Sequence, residues 1–413
     1  MLTLRRTIAR GAALASIVLT ASSASPARQQ ARTRVFAVAS CGARVTPAPS
    51  ARLNVALFHR TATHYGHVSF LGLARDAKRR RLWIGQGVAS GFVGPYAAAH
   101  PGILSFLYKD AVFVDRFVPG PATAGQVLGG VSYQMALTSG WLVLDNAQPI
   151  VSRGYAGFVL ADLADPGYQR EWARNAIAEA HGGGWSGVFA DDLGLFRPDL
   201  TASPPAFPTQ AAWREAVRAF LAGVSPLLHA SGLTLIANIS DGIFDLGLHR
   251  LLVRYLDGSM DEGWMRHTTR HTEALANGCE WVRQLVEELQ SEASRKRFLA
   301  ELPADATDAR AIAYGLATFL LGANGYSSFD VAGNPHYANA IWTPELQAAT
   351  RLGPPLGSFT VARSGLYSRA FRRGLVLVNP TGRRITARVR PTRRARRRTV
   401  SLAPSTGVIL VRR

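Results

Sequence analysis

Short apolar runs alternate with longer stretches of helical spacing through most of this chain, and the rhythm predicts a parallel sheet joined by helices. Strands are expected over residues 53–58, 82–85, 103–108, 187–191, 233–239, 255–260, 298–302 and 325–329. Between them, residues 169–180, 211–228, 279–298 and 309–321 repeat apolar positions as a helix with one buried face does. Eight strands connected in this way predict an α/β fold, a (β/α)8 TIM barrel over residues 51–352. An open doubly wound sheet competes, but no glycine-rich phosphate loop follows the first strand, where Phe58 runs into His59 and Arg60. Residues 110–185 are too many for one strand–helix unit. There, 141–146 and 157–162 read as extra strands in an excursion over the barrel mouth. From about residue 353 the pattern changes to alternating strands at 366–371, 374–378, 385–389 and 408–411. This predicts a small C-terminal all-β, sandwich-like domain over 353–413, with Leu375, Leu377 and Ile409 packed against the barrel.

Several of these strands end abruptly in charge. Gly187-Val-Phe-Ala-Asp-Asp192 and Asp257-Gly-Ser-Met-Asp-Glu262 both close on acids. A buried strand has no reason to finish so unless its end opens into a solvated pocket; the plainer reading is that the acids only solubilise strand ends. Two such strands can set carboxyls on both sides of one bond, as hydrolysis of a glycosidic bond requires. Asp191 and Glu262 are therefore the candidate catalytic pair. Side chains alternate along a strand, so Asp191 shares a face with Phe189, and Asp192 shares one with Val188 and Ala190. One of the two therefore enters the pocket while the other caps the loop or orients a neighbour, and Asp191 is preferred for the pocket, with Asp192 supporting. Other strand ends bring His59, Lys109, Asp110, Asn238 and Asp261 toward the same rim, followed by Glu301 and Asp330, with Asp162 closing the excursion. Lys109 either holds one of the site carboxylates ionised or binds a sugar hydroxyl, or it forms a strand-end salt bridge. Trp264, with Met260, is expected to shield Glu262 from water, and tryptophans 83, 141 and 185 with Tyr108, Tyr155 and Tyr326 suit sugar stacking or core. The expected partner is a polysaccharide. No cofactor is implied, and with no closely spaced histidine pair no metal is expected. The alternative to an enzyme is a catalytically silent barrel that binds polysaccharide.

The net charge of +20 is unevenly spread. Residues 1–45 hold seven arginines and residues 346–413 sixteen, with no acid in either stretch, so residues 46–345 carry −3. The basic tail points to an anionic cell-wall polymer, or else to the solvated face of an arginine-rich composition. Nucleic acid is disfavoured, since Arg393-Arg-Ala-Arg-Arg-Arg398 has no aromatic between its arginines. Arg5, Arg6 and Arg10 precede the apolar run Gly11-Ala-Ala-Leu-Ala-Ser-Ile-Val-Leu-Thr-Ala21 and small residues to 27. That is the layout of a signal peptide over 1–27, too short to span a bilayer, with a linker over 28–50. The mature chain is expected to be secreted or held at the cell surface, without a transmembrane segment. Its two cysteines, Cys41 and Cys279, are free to pair after export, but the fold is not built on disulfides.

The run 187–192, the run Asp162-Leu-Ala-Asp-Pro-Gly-Tyr-Gln-Arg-Glu-Trp172, the run 257–262, and Arg369-Ala-Phe-Arg-Arg-Gly-Leu-Val-Leu-Val-Asn-Pro380 resemble a group of exported bacterial proteins. That group is hypothetical glycosyl hydrolase family 15, similar in turn to endo-α-1,4-polygalactosaminidases. The resemblance covers about residues 50–410. It implies a (β/α)8 barrel with an aspartate after the fourth strand and a glutamate after the sixth, which coincide with Asp191 and Glu262. The sequence departs at Ala190, where relatives usually carry a larger apolar residue. The resemblance implies no particular sugar.

Overall fold

In this computed structural model the described residues are 77–117, 127–266, 274–332, 341–392 and 395–412, with the backbone of Phe36–Val38, Ala43–Val45 and Arg60–Thr61 before them. The main sheet is parallel. Its strands are β1 (Arg60–Thr61), β2 (Leu82–Gly85), β3 (Leu104–Asp110), β4 (Gly187–Asp191), β5 (Thr234–Asn238), β6 (Gly258–Asp261), β7 (Arg297–Pro303) and β8 (Ser328–Ala332). Each pairs with the next in chain order. The helices are α1 (Val93–Ala99), α2 (Tyr133–Thr138), α3 (Pro166–Gly182), α4 (Gln210–Ala230), α5 (Leu246–Leu252), α6 (Gly278–Ala293), α7 (Ala309–Gly322) and α8 (Pro344–Thr350). Their starts are written in the sequence. Asp165, just ahead of Pro166, accepts the Gly167 and Tyr168 amides at 2.6 and 3.0 Å, Thr209 accepts that of Ala212, and Asp308 that of Ala311.

Leu82, Ile84, Phe106, Phe189, Ile236, Met260 and Leu299 form a core to which no helix contributes. A sheet face that covers itself has to curl, so the strands make a nearly closed barrel sheet around this plug. Each fully buried member contributes roughly 1.5–3 kcal/mol by leaving water. The alternate positions, among them Leu107, Val188, Ala190, Leu235 and Ala237, face outward and pack with the helices.

The strand boundaries shift from the sequence reading in ways that matter for the site. The expected strand at 53–58, His59, and the segments 1–27 and 28–50 apart from the short strands named above lie outside the described residues. Strand β6 begins at Gly258, because Val253–Tyr255 closes into a 3-10 turn. Strand β3 runs on to include Lys109 and Asp110, and β8 runs on to include Asp330. The excursion leaves the main sheet. Leu144–Asp145 pairs with Gln148–Pro149, and Phe158–Leu160 pairs antiparallel with Phe113–Asp115.

The C-terminal strands are β9 (Thr360–Val361), β10 (Tyr367–Phe371), β11 (Gly374–Asn379), β12 (Ile385–Val389), β13 (Arg398–Leu402) and β14 (Thr406–Val411). An antiparallel sheet β9-β10-β11-β14 faces α7 on one side and the β12–β13 hairpin on the other. Strand β11 is thus buried on both faces. Val376 and Val378 join the core of α6 and α7, while Leu375 and Leu377 pack on Ile385 and Leu402. Leu375 and Leu377 therefore stabilise the module itself; of the three residues expected against the barrel, only Ile409 packs with that helical core. Fully buried Arg369 ties the module to α7: it donates to the carbonyls of Leu320, Leu321 and Ala323, to Gly357 O and to Asn324 Oδ1, all at 2.8–3.1 Å. Gly407 lies flat on the same helix, where a Cβ would meet Ala313 O at 2.5 Å and Ala317 Cβ at 2.6 Å. Gly407→Val should therefore cost about 1–3 kcal/mol by overpacking. Thermal unfolding checks this, and an unchanged melting temperature would mean that the strand has room to move off the helix. Cys279, in the first turn of α6, is disulfide-bonded, and Cys41 is the only other cysteine in the chain. Among the described residues no helix is long and apolar enough to cross a membrane.

Candidate active site

The interior face of the sheet changes character within one pleat. Two residues beyond the plug positions Phe106, Phe189, Ile236, Met260 and Leu299 come Tyr108, Asp191, Asn238, Glu262 and Glu301. Because side chains repeat every second residue, this second set occupies the same face one layer nearer the C-terminal strand ends. A polar layer therefore sits directly on an apolar floor.

Its centre is Asn238. The Nδ2 group donates to Asp191 Oδ1 at 2.9 Å and to Glu262 Oε2 at 2.8 Å. The two carboxyl oxygens that share this nitrogen are then no farther apart than the sum of those distances, so both acids face one site. Asn238 is itself oriented through Oδ1, which accepts the Ser240 amide at 3.1 Å and the Ser240 hydroxyl at 2.5 Å. The Ser240 Oγ in turn accepts the Glu262 amide at 3.1 Å. Asp191 is buried and receives two further hydrogen bonds, from Tyr108 OH at 2.6 Å and from the Asp192 amide at 3.0 Å. Glu262 is half-buried, nearer the opening.

Two more carboxyls crowd this pair. The parallel register lays Asp110 beside Asp191. Asp110 Oδ1 accepts the Val112 and Phe113 amides, both at 2.8 Å, and its carboxyl also hydrogen-bonds to that of Asp192. Two carboxyls can make such a bond only with a proton between them. Burial and the charge of Asp191 push Asp110 up to about 7. Burial and the charges of Asp110, Asp191 and Glu262 raise Asp192 well above the usual carboxylate range. The expectation that Asp192 points away from the pocket is overturned. Its backbone is left-handed, with φ of 63°, so strand alternation stops at Asp191 and the side chain swings back to the same rim.

Three other sequence candidates belong to the outer layer. Lys109 is buried on the helix side, where Nζ pairs with Glu179 Oε2 at 2.5 Å and donates to Val127 O at 2.6 Å. Of its two readings, the salt bridge is the one realised. Asp261 shares the outward face: its Oδ1 accepts the Gly263 amide at 2.9 Å, and it bears on Gln284 and Glu287 of α6. Trp264 is fully buried edge-on against Phe298, and its indole N–H donates to Gly315 O at 3.1 Å, so it is core and no shield for Glu262. Asp162 lies two residues past the strand Phe158–Leu160, and its Oδ1 accepts the Ala164 amide at 3.0 Å in the turn before α3. In the helical layer Trp83 stacks on Tyr96 and meets Trp185 at a tilt. At the far side of the barrel Glu301 pairs in register with Asp330, whose Oδ1 lies 3.8 Å from Nη1 of buried Arg80. Among the described residues no group of three or more His, Cys, Asp or Glu side chains is arranged to hold a metal ion.

Residues 100–375, more than half of the chain, match hypothetical glycosyl hydrolase family 15. The chain belongs to that family. It is accordingly a glycoside hydrolase, and the matched segment runs from just before β3 into β11, taking in the whole polar layer described above. Among curated proteins none matches the sequence. Solved structures similar to this hydrolase include the noncanonic maltogenic α-amylase AmyB from Thermotoga neapolitana, at 11% identity, 87% coverage of this chain, 97% of that one, and a TM-score of 0.48. An α-amylase from Malbranchea cinnamomea gives 8%, 87%, 95% and 0.48. Aspergillus fumigatus Ega3 in complex with galactosamine gives 10%, 72%, 95% and 0.41. No residue role is carried over from them.

Sequence reading placed Tyr108 only among the stacking aromatics, and it passed over the pair Phe196 and Phe244. Those two rings lie edge-to-face at 5.5 Å on the loops after β4 and β5, with Phe196 42% exposed. The overlooked signal is an exposed apolar ring in a loop that follows a catalytic-type strand end. The hydrolase should also show the proton shared by Asp110 and Asp192 in its stability. A carboxyl raised in the folded state binds its proton more tightly than in the unfolded chain, where it titrates near 4. The stabilisation is complete below that value and is lost as pH rises through about 7. Asp192→Asn supplies a permanent N–H to Asp110, so its stability should fall less between pH 4 and 8. Urea midpoints across that range check it; parallel curves for parent and variant would contradict the shared proton.

Proposed function

We propose that this hydrolase cleaves a glycosidic bond within a polysaccharide by a retaining double displacement, with Asp191 as nucleophile and Glu262 as general acid and base. The observation that carries the reading is the single nitrogen, Asn238 Nδ2, that donates to both carboxyls and holds them close. Asp191 Oδ attacks the anomeric carbon while Glu262 gives its proton to the departing oxygen, which leaves a glycosyl ester on Asp191. Glu262 then takes a proton from water, the water oxygen attacks the same carbon, and Asp191 is released. Depth supports this division. The nucleophile is the buried, triply hydrogen-bonded group, and the acid–base residue is the one nearer solvent. We take the sheet to be a closed eight-stranded (β/α)8 barrel and the exposed ring of Phe196 to be a sugar platform beside its mouth. Action outside the cytoplasm, after loss of residues 1–27, is part of the same reading.

The test is to incubate the full mature chain with a panel of neutral, acidic and amino-sugar polysaccharides, count new reducing ends, and read the first anomer formed by proton NMR. Cleavage with retained configuration is expected. Inversion would displace the ester mechanism, and saccharide binding without cleavage on any member would favour a silent barrel.

A further inference from the structure

On the C-terminal module, away from the acidic layer, lies a cleft of about 530 Å³. Its walls are the segment before β9, the β10–β11 turn, the residues after β12 and the end of β14. Arg372, Arg390 and Arg412 line it together with Thr392, over a floor formed by buried Phe371 and a lip formed by exposed Leu356. Three of the walls are fixed to one another by backbone hydrogen bonds: Leu356 N–H donates to Ala370 O at 2.9 Å, Arg372 N–H to Pro354 O at 2.9 Å, and Arg412 N–H to Arg373 O at 2.8 Å. A concavity of this size falls within the roughly 300–1,000 Å³ of small-ligand sites. Its charge is one-signed, because residues 346–413 contain sixteen arginines and neither Asp nor Glu.

We propose that this cleft is a binding site for an acidic polysaccharide, which it grips by its carboxylates. A guanidinium presents a planar fork of donors that matches a carboxylate in two parallel hydrogen bonds, and three forks around one hollow fix the spacing of successive acidic sugars. Exposed Leu356 gives the apolar face of a pyranose ring a surface to cover. The chemistry fits sugars better than nucleic acid. Unpaired bases require exposed aromatic faces to stack on, and the one aromatic ring here is buried in the floor. The site is independent of the reading given to Asp191 and Glu262, and its test uses no turnover.

The experiment is affinity electrophoresis of the full mature chain through gels containing polygalacturonate, with dextran as the neutral control and single-stranded DNA as a competitor. Three variants carry the argument. Arg372→Gln/Arg390→Gln/Arg412→Gln empties the cleft of charge. Arg396→Gln/Arg397→Gln/Arg398→Gln removes the same charge from exposed positions outside it. Arg372→Lys/Arg390→Lys/Arg412→Lys keeps the charge but loses the fork. The cleft variant should bind polygalacturonate at least about ten-fold more weakly, the lysine variant should fall between it and the parent, and the outside variant should stay near the parent. Equal loss in the two glutamine variants would overturn the proposal in favour of diffuse charge. So would equal retardation by dextran, or displacement by DNA at lower concentration than by polygalacturonate. Should the glutamine cleft variant lose its cooperative melting transition, the lysine variant decides: binding equal to the parent's would count against a carboxylate fork.

Discussion

Asp191→Asn and Glu262→Gln should each lower the turnover rate on polysaccharide by at least about 10²–10⁴-fold, the range that general acid–base help alone supplies. Both changes keep size and remove an ionisable group, yet they should fail differently. The amide introduced by Asp191→Asn would turn its own N–H donors toward a group that now donates to the carboxylate, Asn238 Nδ2 or Tyr108 OH, so some loss of stability accompanies the loss of the nucleophile. The amide introduced by Glu262→Gln can still receive the Asn238 hydrogen bond through its Oε, and that variant should melt as the parent does. The two roles separate on substrates with a good leaving group. An activated aryl glycoside needs little protonation, so Glu262→Gln should recover much of its rate of bond cleavage there while Asp191→Asn does not. Activity within a few-fold of the parent in both variants, with folding intact, would return these residues to the status of solvated strand ends.

The second large effect concerns a residue far from the chemistry. Arg369→Met should destabilise the folded chain by about 3–5 kcal/mol, the cost of leaving several buried acceptors without their charged donor. Burial lowers the guanidinium to about 10, against the pull of Glu288 and Glu292, so it is charged at neutral pH. Without it, the last carbonyls of α7 lose the donors that replace the missing next turn of helix. Arg369→Lys should lose nearly as much, since one ammonium cannot reach five acceptors spread over α7, Gly357 and Asn324. Urea unfolding measures both; a loss under about 1 kcal/mol would mean that water replaces the guanidinium cheaply.

Much of this was legible from residues alone. The alternation of strands and helices and the acids closing the fourth and sixth strands follow from local chemistry. What the sequence reading lacked was the facing of each strand end. Lys109 and Asp261 look equivalent to Asp191 and Glu262 if only position along the strand is counted. The residue two places earlier distinguishes them: Leu107 packs with the helices, whereas Phe189 and Met260 belong to the interior plug. Asp192 escapes even that rule, because its left-handed backbone is a property of the turn and cannot be inferred from a period of two. In the C-terminal module, alternation between Leu375 and Val378 is hidden because both faces of β11 are buried in apolar surroundings.

The self-contained plug beneath the polar layer has a consequence for how such a protein diversifies. Its members come from strands alone, and the groups proposed to react stand on those same strands or one residue beyond them. The outer loops can then lengthen, shorten or be exchanged between relatives while the reacting geometry stays anchored from below. Descent with a constant reaction and drifting appetite is what this architecture permits, and swapping the loop after β4 between two such proteins should transfer preference without resetting the chemistry.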